Sequence, residues 1–118
     1  MLNMKYFNKK VIFNGIKFDS KKESEYYLKL KEDEEKGLIK DLKLQPEFLL
    51  IDSFRDKNGK LERKCVYTAD FEYINRSSEE LYVIEIKSKY TAKLVDYILR
   101  RKFFKSKYPE INFIEVIC

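Results

Sequence analysis

The sequence predicts an α/β fold of the α+β kind: a mixed sheet in the order αβββαβ behind an N-terminal β-hairpin, forming one domain over residues 1–118. Three observations carry this. At 118 residues, 44% hydrophobic and 15% aromatic, the chain can bury one modest core and is unlike a disordered tail. Its three glycines and two prolines stand at the edges of apolar runs, with no repeat or linker between them. A meander of alternating runs is followed by a helical crossover and a last strand, which implies helices packed on a mixed sheet.

Each element has its own justification. Asn14-Gly15 separates Val11-Ile12-Phe13 from Ile16-Lys17-Phe18, a type I′ hairpin signal. A helix is expected over Lys21 to Lys36, with Ser20 as its N-cap, Glu23 at the third helical position and Gly37 just past its end. Strands are expected at Glu47–Ile51, after the proline at 46, and at about Glu62–Ile74 and Leu81–Lys87, with Asn58-Gly59 at a hairpin tip. Thr91 would cap a second helix that runs to Lys107 and is stopped by Pro109, and Ile111–Ile117 is the final strand.

Composition excludes several chemistries. There is no histidine, which rules out Ser-His-Asp and Cys-His catalysis and most zinc sites. Cys65 and Cys118 match no zinc spacing and read as reduced thiols. No apolar run approaches the roughly 20 residues of a membrane span, and the N-terminus lacks the features of a signal peptide, so a cytoplasmic protein is expected. Catalysis must then rest on carboxylates, lysine, tyrosine or a hard metal ion.

Asp70 and, fifteen residues later, Glu85-Ile86-Lys87 satisfy that requirement. Both lie in runs that read as adjacent strands of one hairpin. Alternation puts Val83, Glu85 and Lys87 on one face, and Val66, Thr68, Asp70 and Glu72 on one face of the neighbouring strand. With matched registers the two acids are neighbours, and adjacent carboxylates repel unless a cation or a proton separates them. Such oxygen ligands suit Mg²⁺ or Mn²⁺, and Lys87 would stand beside the ion and stabilise charge on a phosphate. Alone, Glu-x-Lys is an ordinary strand charge pair; the acid at hairpin distance raises its significance. Glu23 has a complete explanation in a capping box with Ser20. It also shares a helix face with Tyr26, Tyr27 and Leu30, which should turn it toward the sheet.

Charge is uneven. From Lys87 to Tyr108 there are eight basic residues against one acid, Asp96, although the net charge of the chain is only +5. Lys93, Arg100 and Lys107 recur every seven residues, with Lys89 just before them, while Leu94, Val95, Ile98 and Leu99 supply an apolar face for the sheet. Beside a metal site, such a stripe would grip phosphates and make affinity salt-dependent; the alternative is a solvated surface. Arg101 and Lys102 could reach the site itself. Tyr6, Phe7 and the loop from Arg55 to Lys64 could also touch DNA, without a readable base code.

A helix glutamate, then Asp, then Glu-x-Lys on an αβββαβ core resembles the PD-(D/E)XK nuclease superfamily. Within it, Asn14-Gly15-Ile16-Lys17-Phe18-Asp19-Ser20-Lys21-Lys22-Glu23, Leu44-Gln45-Pro46 and Tyr67-Thr68-Ala69-Asp70-Phe71 are similar to a small phage and prophage family, often labelled a domain of unknown function, whose layout is like that of Holliday-junction resolvases. The resemblance covers about Lys5 to Val116 and implies a restriction-endonuclease-like fold. It also implies a catalytic set of Glu23, Asp70, Glu85 and Lys87, with Asp70, Glu85, the Ile86 carbonyl and Glu23 around Mg²⁺ or Mn²⁺. The DNA contacts expected with it are Lys89, Lys93, Arg100, Arg101, Lys102 and Lys107. Glu85 stands where many relatives carry Asp, and Ser88 replaces an expected glycine. The implied activity is metal-dependent endonuclease cleavage of branched or structured DNA in phage replication or recombination. Symmetric junction cutting would take a homodimer. The alternatives are a restriction or repair nuclease on duplex DNA, and a nuclease fold that only binds DNA or protein.

Overall fold

The computed structural model describes residues 11–13 and 15–118, with side chains from residue 15 onward. Asn14 and the N-terminal Lys5, Tyr6, Phe7, Lys9 and Lys10 lie outside the described residues. Strands β1 (Val11–Phe13) and β2 (Ile16–Phe18) pair antiparallel with Phe13 opposite Ile16, which leaves the short connection expected at Asn14-Gly15.

Helix α1 (Lys21–Glu35) starts at Ser20, whose backbone is extended and whose Oγ accepts the Glu23 N–H at 3.1 Å. It ends in a complete Schellman motif. Gly37 at φ 78 lets its N–H donate to the Glu34 carbonyl at 3.1 Å, and the Leu38 N–H donates to Asp33 at 2.9 Å. Removing the cap hydroxyl with Ser20→Ala should cost about 1 kcal/mol. In a thermal melt that is a fall of roughly 4–8 °C.

The central sheet holds β3 (Ile39–Leu44), β8 (Phe71–Asn75), β9 (Leu81–Lys87) and β10 (Asn112–Ile117) in the order β10-β9-β8-β3. Helix α2 (Val95–Lys107) connects β9 to β10, which therefore pair in parallel, while the other neighbours are antiparallel. The architecture is thus mixed α/β with a mixed sheet. A separate ribbon of β4 (Glu47–Ile51) and β7 (Cys65–Thr68) projects from it, continued by the short pair β5 (Phe54–Arg55) and β6 (Leu61–Glu62). The Asn58-Gly59 turn falls at the tip of that pair, as expected.

Several expectations need correction. The first strand of the central sheet is β3, and β4 belongs to the ribbon. Strand β3 is hidden in the sequence because Asp41, at φ 55, sits where the register shifts between Lys40 and Lys43. The bulge spaces Ile39, Leu42 and Leu44 by three and then two, which destroys the alternation by which a strand is read. The expected strand Glu62–Ile74 is broken into β6, β7 and β8, with Ala69 and Asp70 outside any strand. The second helix begins at Val95, preceded by a 3₁₀ turn over Thr91–Lys93. Thr91 is the first residue of that turn and does not cap the helix, whose N-cap is Leu94; instead it exchanges hydrogen bonds with Ser88, the Thr91 N–H donating to Ser88 Oγ at 3.1 Å and the Ser88 N–H to Thr91 Oγ1 at 3.0 Å. A serine thus serves where the family resemblance leads one to expect glycine.

Two cores lie on opposite faces of the sheet, as alternation along β9 requires. Ile84 and Ile86 pack with Phe71, Tyr27 and Leu30 under α1. Val83 packs with Tyr67, Tyr97 and Phe104 under α2. The sheet-facing side of α2 differs from the one expected. Tyr97 and Phe104 are buried, whereas Leu94, Val95 and Leu99 are exposed and only Ile98 of the predicted set packs inward. Two aromatic rings seven residues apart bury more apolar area than the aliphatic side chains they displace, and Phe104 meets the rings of Phe48, Tyr67, Tyr108 and Phe113.

Candidate active site

All four predicted catalytic side chains line one cleft of about 490 Å³. Its walls come from the start of α1 (Ser20, Lys21, Lys22, Glu23), the break before β8 (Asp70), the end of β9 (Glu85, Ile86, Lys87) and the capped turn (Ser88, Thr91). Glu23 and Glu85 are buried, 5% and 3% exposed, which is unusual for glutamate.

Asp70 is the hinge of the arrangement. The register that sets Phe71 opposite Ile84, continued by one residue, sets Asp70 opposite Glu85. Its N–H still donates to the Ile84 carbonyl at 3.1 Å, but the Ile86 N–H is taken by Asp70 Oδ2 at 2.6 Å. The side chain therefore replaces the backbone at the last rung of the ladder. The N–H and carbonyl of a strand residue point to the same edge, so the Ile86 carbonyl faces this end of the ladder too. The break also frees Asp70 from one face of the sheet, and its carboxyl makes side-chain contacts with both Glu23 and Glu85.

The electrostatics follow from that crowding. Burial, and then the Asp70 hydrogen bond and charge, push Glu23 up to about 8. Burial and the Asp70 charge push Glu85 up to about 8, against the opposing pull of the Tyr67 hydroxyl and Lys87. Of the expected capping box only one half forms, the Glu23 N–H donating to Ser20 Oγ, while the Glu23 carboxyl takes its backbone hydrogen bond from Asp19 instead of Ser20. Lys87 Nζ lies 3.8 Å from Glu85 Oε2 and 4.8 Å from the centre of the Tyr97 ring.

Among the described residues, no three carboxylate or thiol side chains are gathered closely enough to hold an ion as they stand. The donor set is nonetheless that of a hard divalent cation: oxygen only, with neighbouring carboxyls that resist ionising together and would ionise around a positive charge. On chemistry the residues fit Mg²⁺ or Mn²⁺.

Tyr67 escaped sequence reasoning. Its hydroxyl donates to Glu85 Oε1 from the buried face beneath α2. In a straight strand Tyr67 and Asp70 point to opposite faces; the break at Ala69-Asp70 brings both to Glu85. Lys21 and Lys22, two exposed cations at the cleft wall, were missed as well. Their only signal was adjacency to Glu23.

The predicted DNA-contacting residues are dispersed. Lys89, Lys93 and Lys102 are exposed, with Lys89 and Lys93 in and beside the 3₁₀ turn rather than on the helix. Arg100 Nη1 donates to the Val66 carbonyl at 2.6 Å and lines a hollow of about 300 Å³ that shares Glu85 and Lys87 with the main cleft. Lys107 donates to the Leu50 carbonyl at 3.4 Å, so Arg100 and Lys107 both run along the β4–β7 ribbon. Arg101 is turned to Glu115 on β10 at 3.3 Å and does not line the cleft.

Fold and cleft together define a mixed α/β protein whose cleft gathers two buried glutamates with a half-buried aspartate and lysine. Over residues 3–118 the chain matches the family described as "Protein of unknown function (DUF1064)", and it belongs to that family. Neither a curated protein nor a solved structure matches it. No helix among the described residues is long and apolar enough to cross a membrane.

Proposed function

We propose that this protein is a metal-dependent DNA endonuclease that hydrolyses phosphodiester bonds in branched or structured DNA. The observation that carries the reading is the convergence of Glu23, Asp70, Glu85 and Lys87 on one cleft, with Asp70 in contact with both buried glutamates. A binding surface has no use for carboxyls crowded until they resist ionisation.

In this reading Asp70, Glu85 and the Ile86 carbonyl hold Mg²⁺ or Mn²⁺, with Glu23 beside them. The bound ion supplies charge neutralisation on the phosphate and acidifies water. Tyr67 fixes the Glu85 carboxylate from behind. Lys87, oriented by Glu85 and by the Tyr97 ring, places its ammonium where negative charge grows on the phosphoryl oxygens. Lys21 and Lys22 on one wall, and Lys89 and Lys93 near the other, attract flanking phosphates. Branched DNA as the substrate, and a homodimer to cut it symmetrically, rest on the resemblance in layout to junction resolvases.

The test offers a four-way junction, linear duplex and single strand to the protein with Mg²⁺, with Mn²⁺ and with chelator. Junction cutting that needs the metal is the expected result. Duplex cutting alone would move the protein to a restriction or repair role. Tight binding without cutting would replace the nuclease with a DNA-binding module.

A further inference from the structure

Three depressions meet end to end through the catalytic groups. The hollow beside Arg100 shares Glu85 and Lys87 with the main cleft, and a third hollow, of about 190 Å³, shares Glu23 and Asp70 with it. This third hollow lies between β2 and the β3–β4 junction, and Ile16, Lys17, Phe18, Leu44 and Gln45 complete it. It is smaller than the roughly 300–1,000 Å³ of ordinary small-molecule pockets, a size for one planar ring rather than a base pair.

Gln45 is its unusual member. Its φ is 50, the left-handed region, although it is neither glycine nor asparagine. The residue before a proline is further restricted, and Pro46 follows. Two strand-to-strand bonds hold the strained turn: the Gln45 N–H donates to the Asp70 carbonyl at 2.9 Å and the Ala69 N–H to the Pro46 carbonyl at 3.1 Å. The kink therefore faces the break that frees Asp70. A glycine would make the same kink without strain, so what the strained residue adds is its side chain. Gln45 is exposed at this hollow, and its side-chain amide takes no partner among the described residues. It offers donors and an acceptor together, the pattern that pairs with the edge of a base.

We propose that this hollow is a nucleotide subsite next to the scissile phosphate, where apolar walls take the ring of one unpaired base, Gln45 hydrogen-bonds its edge and Lys17 faces its phosphate. The assignment rests on the nuclease reading and adds to it a place for an unpaired nucleotide on the Glu23–Asp70 side of the cut.

The experiment compares wild type with Gln45→Gly, Gln45→Ala and Lys87→Ala on a branched substrate. The nucleotide flanking the cut is either intact or abasic. Gln45→Gly should melt at or above wild type and lose about 3–10-fold in kcat/KM, mostly through KM, the scale of one hydrogen bond. Gln45→Ala should show the same KM. Removing the base should slow wild type by a larger factor, because the ring contact goes with the hydrogen bond, and should bring wild type and Gln45→Gly to the same rate. Gln45→Gly cutting like wild type, while Gln45→Ala is impaired, would reduce the residue to a maker of the kink and overturn the subsite. A Gln45→Gly variant that melts lower and cuts more slowly on both substrates would do the same. Absence of cutting by wild type would remove both readings, whereas cutting abolished by Lys87→Ala but untouched by Gln45→Gly would remove only this one.

Discussion

Lys87→Ala is expected to lower metal-dependent cleavage by about 10²–10³-fold, the usual scale for loss of one preorganised charge at a transition state, while DNA binding stays within a few-fold of wild type. The two effects separate because the cations near the cleft are not equivalent. Lys87 is half-buried and held by Glu85 at 3.8 Å and by the face of the Tyr97 ring, so its position is set before substrate arrives. Lys21, Lys22, Lys89 and Lys93 are exposed, and on the proposed reading they would contribute to affinity through counterion release. Single-turnover cleavage and anisotropy binding in chelator measure the two quantities. Lys87→Arg, which keeps the charge but not the compact ammonium, should fall between. Cutting that survives Lys87→Ala would sink the site assignment.

Glu85→Gln should abolish cleavage and at the same time stabilise the metal-free protein at alkaline pH. Burial and the Asp70 charge hold Glu85 at about 8 in the folded state, above its ordinary 4.5. The folded protein keeps a proton that the unfolded chain surrenders, so stability without metal declines as pH rises from 4.5 to about 8 and levels off above. Glu23 titrates in the same sense and window. A neutral amide at position 85 removes one of the two contributions and relieves the repulsion on Asp70, which flattens the decline. Under the proposed metal site Mg²⁺ would bind the ionised carboxylates, so its stabilisation of wild type should grow with pH and shrink sharply in Glu85→Gln. Melting curves from about pH 5 to about pH 9, with and without Mg²⁺, read all of this. A wild-type melting temperature that rises over that range without metal would refute the buried, proton-holding cluster.

Much of the frame was legible because it depends on neighbours in sequence. Ser20 and Gly37 bound α1 by local hydrogen bonds, β1 and β2 pair as the flanking apolar runs suggest, and alternation assigns Glu85 and Lys87 to one face of β9. What escaped involves a local departure from periodicity. The bulge at Asp41 concealed β3, and the break at Ala69-Asp70 hid the contact of Tyr67 with Glu85. The buried face of α2 was misjudged because Leu94, Val95 and Leu99 are as apolar as the residues that pack, and the sheet selected the larger rings.

The sequence by itself thus determined most of the element types (though not β3 or the breaks at Asp41 and Ala69-Asp70), the Asn58-Gly59 turn, and the pairing of an acid with Glu-x-Lys across one hairpin, since short-range sterics and hydrogen bonding are enough for each. Only the tertiary structure decided that Asp70 leaves its strand to bridge Glu23 and Glu85, that Tyr67 supports the site from the far face, and that Gln45 is strained beside it. Those outcomes depend on β4 and β7 pairing with each other outside the central sheet, and that switch is held by the Gln45–Asp70 and Ala69–Pro46 backbone bonds between distant segments rather than by any one stretch of chain.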